Sequence, residues 1–266
     1  MKRNSLFFAA AIITTLLSVS CEKMNEGDPG SAEAPIPGVF TIGEGKRVHF
    51  APGNLQATYD GKKYVWGFAS RQEEFIGEAA GNTTIDKQTK GAKVDLFGWS
   101  CGSKGNNFGI TTSGEGNTYN SGLIEWGKNI GDGKTWRTPS LEELEYLINT
   151  RKINGKTGLG NTFVYATVNS VNGIIIFCDG YTGNTENLSS IPEGCLFLPA
   201  GGYRGGSYVF SSKEGLYWTS TDIDYMNSGF LYFSSSDIIF RYETQGNRHF
   251  GMAVRLVTDI PADGIR

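Results

Sequence analysis

The sequence predicts an α+β domain in which short strands and long irregular loops outweigh helix, and three observations carry that reading. Glycine supplies 37 of 266 residues, about twice ordinary usage, and aromatic residues reach 12%, so tight turns and bulky strand residues coexist. Helical periodicity is scarce. Short runs rich in β-branched and aromatic residues recur between clusters of Gly, Ser and Asn.

Taken in order, the chain opens with Met1-Lys2-Arg3 and the apolar run Leu6 to Leu17, too short to span a bilayer and right for a secretory signal over residues 1–20. Ser18-Val19-Ser20-Cys21 is similar to a bacterial lipobox, which makes Cys21 the expected lipidation site, although Ser18 and Ser20 also suit an ordinary signal peptidase. Residues 21–38 follow as a flexible tether, with Glu22, Glu26, Asp28 and Glu33 beside three prolines and no apolar period. The acidic cluster after Cys21 resembles a lipoprotein surface-export signal, and a plain solvated linker is the alternative. The expected location is therefore the outer membrane, as an exported lipoprotein exposed at the surface, with membrane contact only through the N-terminal lipid.

Strands are expected at Arg47–Phe50, Lys63–Phe68, Phe163–Val168, Gly173–Phe177, Leu196–Pro199, Leu216–Ser220, Phe230–Phe233, Ile238–Tyr242 and Met252–Val257. A helix is expected at Leu141–Thr150, because Ser140 and Glu143 form a capping box and Leu141, Leu144, Leu147 and Ile148 share a face. A second helix is expected at Arg71–Ala80, with Phe75 and Ile76 inward. Cys101–Gly122 and Gly180–Ser190 read as long loops. The globular domain is placed at 39–258 and a tail at 259–266, and no fixed-period repeat appears.

Charge and composition exclude several functions. Past residue 20 the chain holds 22 basic side chains, the whole chain's 24 less Lys2 and Arg3, against 27 acidic ones. With no basic run, nucleic-acid binding is not expected. Cys101, Cys178 and Cys195 show no C-x-x-C spacing; Cys178 and Cys195 read as buried hydrophobes, and a bridge between them stays open. His49 and His249 lie too far apart to suggest a metal pair and read as strand-face residues. Arg255, in an apolar strand, is expected to enter a buried ion pair, with Asp95 as candidate partner.

One series of motifs is more specific than any single one: Phe50-Ala-Pro-Gly-Asn-Leu-Gln56, Asp95-Leu-Phe-Gly-Trp99, Trp136 through Leu147, Val168-Asn-Ser-Val-Asn-Gly173, Phe197-Leu-Pro-Ala-Gly-Gly-Tyr-Arg204, Tyr217-Trp-Thr-Ser-Thr221 and Gly251-Met-Ala-Val-Arg-Leu-Val257. The series resembles the Fibrobacter succinogenes major paralogous domain family, exported proteins of Bacteroidetes-type bacteria. The resemblance implies a C-type-lectin-like domain of the formylglycine-generating-enzyme branch, with small twisted antiparallel sheets, one or two helices and long loops. The cysteine pair of the catalytic relatives has no counterpart in Glu214–Val257, and two isolated histidines cannot form an iron cluster, so no catalytic residue is assigned and the chain is read as not an enzyme. The calcium-lectin tripeptides are absent too. No cofactor is predicted, a structural calcium ion stays open, and no other metal site is assigned.

What remains is a recognition surface. Tyr203 and Arg204 lie among glycines at a strand end, and Trp218, Asp222, Asp224, Tyr225, Asn227, Tyr242, Asn247 and Arg248 put aromatic and polar groups on loops and strand ends, a composition similar to adaptable paratopes. The expected partner is a glycan or a surface protein, bound in an adhesin-like manner through C-terminal loops. Domains of this kind also serve as the diversified proteins of diversity-generating retroelements, whose changing positions fall in this stretch. The alternatives are a structural subunit of a surface or fimbria-like assembly and, more remotely, a hydrolase.

Overall fold

The computed structural model describes residues 34–83, 89–99, 123, 125–210, 213–235, 237–241 and 247–262. The expected signal segment, Cys21, the Cys101–Gly122 loop and Tyr242 lie outside the described residues. The fold is mostly β, in small antiparallel sheets with short helices.

Among the described residues the strands form four three-stranded sheets and one hairpin. β2 (Lys46–Phe50) lies between β1 (Phe40–Gly43) and β14 (Val257–Asp259), and β3 (Leu55–Tyr59) lies between β4 (Tyr64–Phe68) and β5 (Lys93–Val94). β6 (Phe163–Val168), β7 (Val171–Ile176) and β8 (Leu196–Pro199) form a meander, as do β11 (Gly215–Asp222), β12 (Ser228–Phe233) and β13 (Ile238–Arg241). β9 (Tyr203–Gly205) and β10 (Tyr208–Phe210) pair as a hairpin whose turn carries Gly206 at φ 60°.

β6 and β8 match their expected bounds. The Met252–Val257 run does not: only Val257 joins a ladder, through β14. Its residues instead bond to many neighbours in turn. Met252 pairs with Phe97, Ala253 with Leu216 and Trp218, and Val254 and Leu256 accept from Leu55 and Ala51. A run that looks like one apolar strand is a buried seam joining three sheets, because its residues bond in turn to Phe97, the β11 segment, Leu55 and Ala51 rather than to one neighbouring strand.

The helix after Ser140 is present, with both halves of the capping box made. It divides into α2 (Leu141–Glu145) and a π-helical turn (Tyr146–Thr150), which Arg151 closes by donating to the Tyr146 carbonyl at 2.8 Å. The expected helix at Arg71–Ala80 is absent; the chain there is irregular, and a short α1 covers Ala80–Thr83. Tertiary bonding overrides propensity in this segment. The Gln72 side chain accepts from Phe197 N–H at 2.8 Å and donates to the Cys195 carbonyl at 3.0 Å, while Gly77 adopts φ 62°.

Packing contacts reach both edges of the described chain. Ile36 is buried and donates to the Phe50 carbonyl at 3.0 Å, so the end of the tether belongs to the core. At the other end Asp259 meets Arg137 at 2.7 Å and Ile260 N–H donates to Arg47 at 2.9 Å, so the expected tail begins as part of the first sheet.

Arg255 departs from expectation most sharply. Its buried guanidinium faces no carboxylate: Nε donates to Asn54 Oδ1 at 3.0 Å, and the remaining nitrogens donate to the carbonyls of Ala51, Gln72 and Phe197. Burial draws its pKa down to about 10. Asp95 is occupied elsewhere, accepting from Asn82 Nδ2 at 2.8 Å and from Ile76 N–H at 2.7 Å, and burial pushes its pKa up to about 6. Fixed carbonyl dipoles, rather than an opposite charge, hold the cation where the seam meets the β8 end and the Gln72 segment.

Candidate functional site

The residues singled out in the C-terminal third fall into a buried frame and an exposed rim. Trp218 belongs to the frame: it is 1% exposed, its indole N–H donates to the Phe97 carbonyl at 2.6 Å, and its ring meets Phe230 edge-on at 6.1 Å. It therefore offers no ring face to a ligand, contrary to its expected place on the recognition surface. Arg204 is fully buried and donates to the Leu96 carbonyl at 3.0 Å and the Gly206 carbonyl at 3.2 Å. Gly251 makes room for it, since a Cβ there would lie 2.6 Å from the guanidinium.

Arg248 performs the same service for the loop between β11 and β12. Its side chain is 2% exposed and lies over the Trp99 ring at 4.3 Å, a cation–π contact largely shielded from water. The guanidinium donates to the Asp222 carboxylate, to the Asp224 carbonyl and, at 3.3 Å, to the Asn227 carbonyl. Arg248 N–H also donates to the Met226 carbonyl at 2.9 Å, while Trp99 N–H donates to Arg248 at 2.9 Å. One side chain thus fixes both ends of a five-residue loop.

Asp224 completes that loop from within. Its carboxylate accepts from Met226 N–H and Asn227 N–H, each at 2.7 Å, and from Asn227 Nδ2. Donation by the Asn227 side chain and then the Met226 N–H holds its pKa below the ordinary value. This Asx turn occupies the Asp224 carboxylate, one of the polar groups expected on the recognition surface. Asn247 faces Asn227 across an isolated bridge, and its carbonyl accepts from Phe250 N–H at 2.9 Å.

Loop and hairpin meet through residues 247–251. Tyr203 stacks on Phe210 at 5.1 Å and leans on Phe250 at 5.4 Å, and His249 packs edge-on to Phe250 at 4.7 Å. His249 lies in a turn rather than on a strand, and burial, helped by Arg204, lowers its pKa. His49 does lie on a strand, β2, with Nδ1 2.8 Å from the Gly38 carbonyl. On the rim, Tyr208 and Tyr225 are 72% and 71% exposed, and Phe210 and Met226 are exposed as well. Tyr208 and Phe210 were not singled out from sequence; the alternation Tyr208-Val-Phe210 after Gly205-Gly206-Ser207 is the hairpin signal that marks them.

A cleft of about 500 Å³ lies at the opposite end of the β11–β12 pair, lined by Tyr165, Asn172, Asn187, Lys213, Phe233 and Ser234 among others. Among the described residues no three His, Cys, Asp or Glu side chains gather as a metal site, and no helix is long and apolar enough to cross a membrane. Comparisons with protein-family models, curated proteins and solved structures return no match.

Proposed function

We propose that this chain is an exported, lipid-anchored recognition module, without catalytic activity, that binds a glycan or surface protein through its C-terminal loops. The observation that carries this reading is the contrast between Tyr208, Phe210, Tyr225 and Met226, which face solvent, and the buried Arg204, Arg248 and Trp99 that fix the backbone beneath them. Leaving large apolar side chains in water forgoes roughly 1.5–3 kcal/mol each, so several on one pre-ordered rim suit a binding face. A rigid frame also lowers the ordering cost of association. Tyrosine combines a flat apolar ring with a hydroxyl at low side-chain entropy, which favours a glycan as the ligand class.

The C-type-lectin-like reading belongs to the same proposal. Small antiparallel sheets, one principal helix after the Trp136-Arg-Thr-Pro motif and long loops support it, and the major-paralogous resemblance rests on the quoted motifs. The test is a screen of the mature chain on immobilised glycans and mucins, with calcium and again with EDTA. A reproducible ligand supports the module, and EDTA sensitivity adds calcium to it. A folded sample that binds nothing but self-associates with concentration favours the structural-subunit alternative.

A further inference from the structure

Beyond recognition, two cysteines meet at the β6–β7–β8 end of the molecule. Ile176 pairs with Leu196, so the strand ends that follow bring Phe177 and Cys178 beside Gly194 and Cys195. The Cys178 sulfur lies 3.5 Å from where a Cβ on Gly194 would stand, and Cys178 and Cys195 pack in the same apolar cluster. Both cysteines are thiols in this structure, Cys195 1% exposed and Cys178 half-buried.

The surroundings fix this juxtaposition. Arg151 donates to the Phe177 carbonyl at 2.7 Å and to Asp179 Oδ1 at 2.8 Å, and the other Asp179 oxygen accepts from Thr41 Oγ1 at 2.7 Å. Asp179 N–H donates to the Val39 carbonyl at 2.8 Å, and Gly38 packs so closely that a Cβ on it would fall 1.8 Å from the Gly194 carbonyl oxygen. These contacts hold the backbone on both sides of Cys178. The segment between them, 179–194, carries Asn187 and Leu188 of the cleft wall.

We propose that Cys178 and Cys195 are a disulfide site, which closes the base of the 179–194 loop when the chain meets a disulfide-bearing oxidant. The Cys178 thiolate, the more accessible of the two, attacks the external disulfide and releases one thiol. The Cys195 sulfur, as thiolate, then attacks Cys178 in the mixed disulfide and expels the second thiol. Two protein thiols lose two protons and two electrons, and one external disulfide becomes two thiols. Burial pushes the Cys195 pKa up to about 12, with the Cys178 sulfur adding to the rise, so oxidation is slow until Cys178 has reacted.

The test uses the full chain, purified reduced and then equilibrated with oxidised glutathione. Titratable thiols should fall by two, the mass by two hydrogens, and a proteolytic map should join the peptides bearing Cys178 and Cys195. The closed loop should raise the unfolding midpoint by roughly 6–12 °C over the reduced form and slow amide exchange across 179–194. Cys178→Ser should abolish the link, and Cys101→Ser should leave it intact. An unchanged thiol count, an arrest at a glutathione adduct on Cys178, or a link from Cys101 to either cysteine would overturn the proposal. The wild-type map decides even where a variant fails to fold.

Discussion

Truncating Arg248 to alanine removes the clamp beneath the β11–β12 loop, and its cost can be worked from the contacts. The shielded cation–π contact with Trp99 contributes about 1–2 kcal/mol. The charge-assisted bonds to the Asp224 and Asn227 carbonyls contribute about 1 kcal/mol each, at the low end because the exposed loop lets water replace them. The Asp222 carboxylate is half in solvent, so its ion pair adds at most about 1 kcal/mol. Together these give a destabilisation of about 3–5 kcal/mol, measured by urea unfolding followed through tryptophan fluorescence. Amide exchange across 223–227 should quicken, because both loop ends lose their anchor. Arg248→Lys should recover only part of the loss, since an ammonium cannot fork to three acceptors while lying flat on an indole. A loss below about 1 kcal/mol in Arg248→Ala would refute the clamp.

Other outcomes follow from the same contacts. Asp95 has a folded-state pKa of about 6 against an ordinary 3.8, so the folded chain holds its proton more tightly; the stability this gives is complete below pH 3.8 and lost as pH rises through 6. That difference is worth about 3 kcal/mol, and Asp95→Asn should flatten the slope of unfolding free energy between those pH values. Ser140→Ala breaks the capping box at the start of α2 and should cost about 1 kcal/mol in urea unfolding. Gly38→Ala drives a Cβ into the Gly194 carbonyl and should cost about 3 kcal/mol, seen as a lowered thermal midpoint.

How far the sequence discloses the fold depends on where each segment satisfies its hydrogen bonds. β6 and β8 are legible because their bonds run in ordinary ladders between neighbouring β-rich runs, and α2 is legible because Ser140 and Glu143 cap it locally. The Met252–Val257 seam and the Arg71–Ala80 segment are misread because their partners lie on several distant elements. Gln72, for example, bonds across 123 and 125 residues, to the Cys195 carbonyl and the Phe197 N–H. The same limit applies to the candidate site. The sequence shows aromatic and polar residues clustered after Gly201, but only the packing separates Trp218, Arg204 and Arg248, which support the backbone, from Tyr208, Phe210, Tyr225 and Met226, which meet solvent. Arg255 shows the most general reason: a buried cation in a loop-rich fold can be held by one side-chain amide and three backbone carbonyls, and backbone carbonyls leave no mark in a sequence.

The most direct test of the binding face compares the wild-type chain with the Tyr208→Ala, Tyr225→Ala double variant on the glycan and mucin screen. Both rings stand largely in solvent, so the variant should unfold within about 0.5 kcal/mol of wild type. Its affinity for a glycan captured by the wild type should fall at least tenfold. A variant that folds and binds as the wild type does would contradict the claim that this rim is the recognition surface.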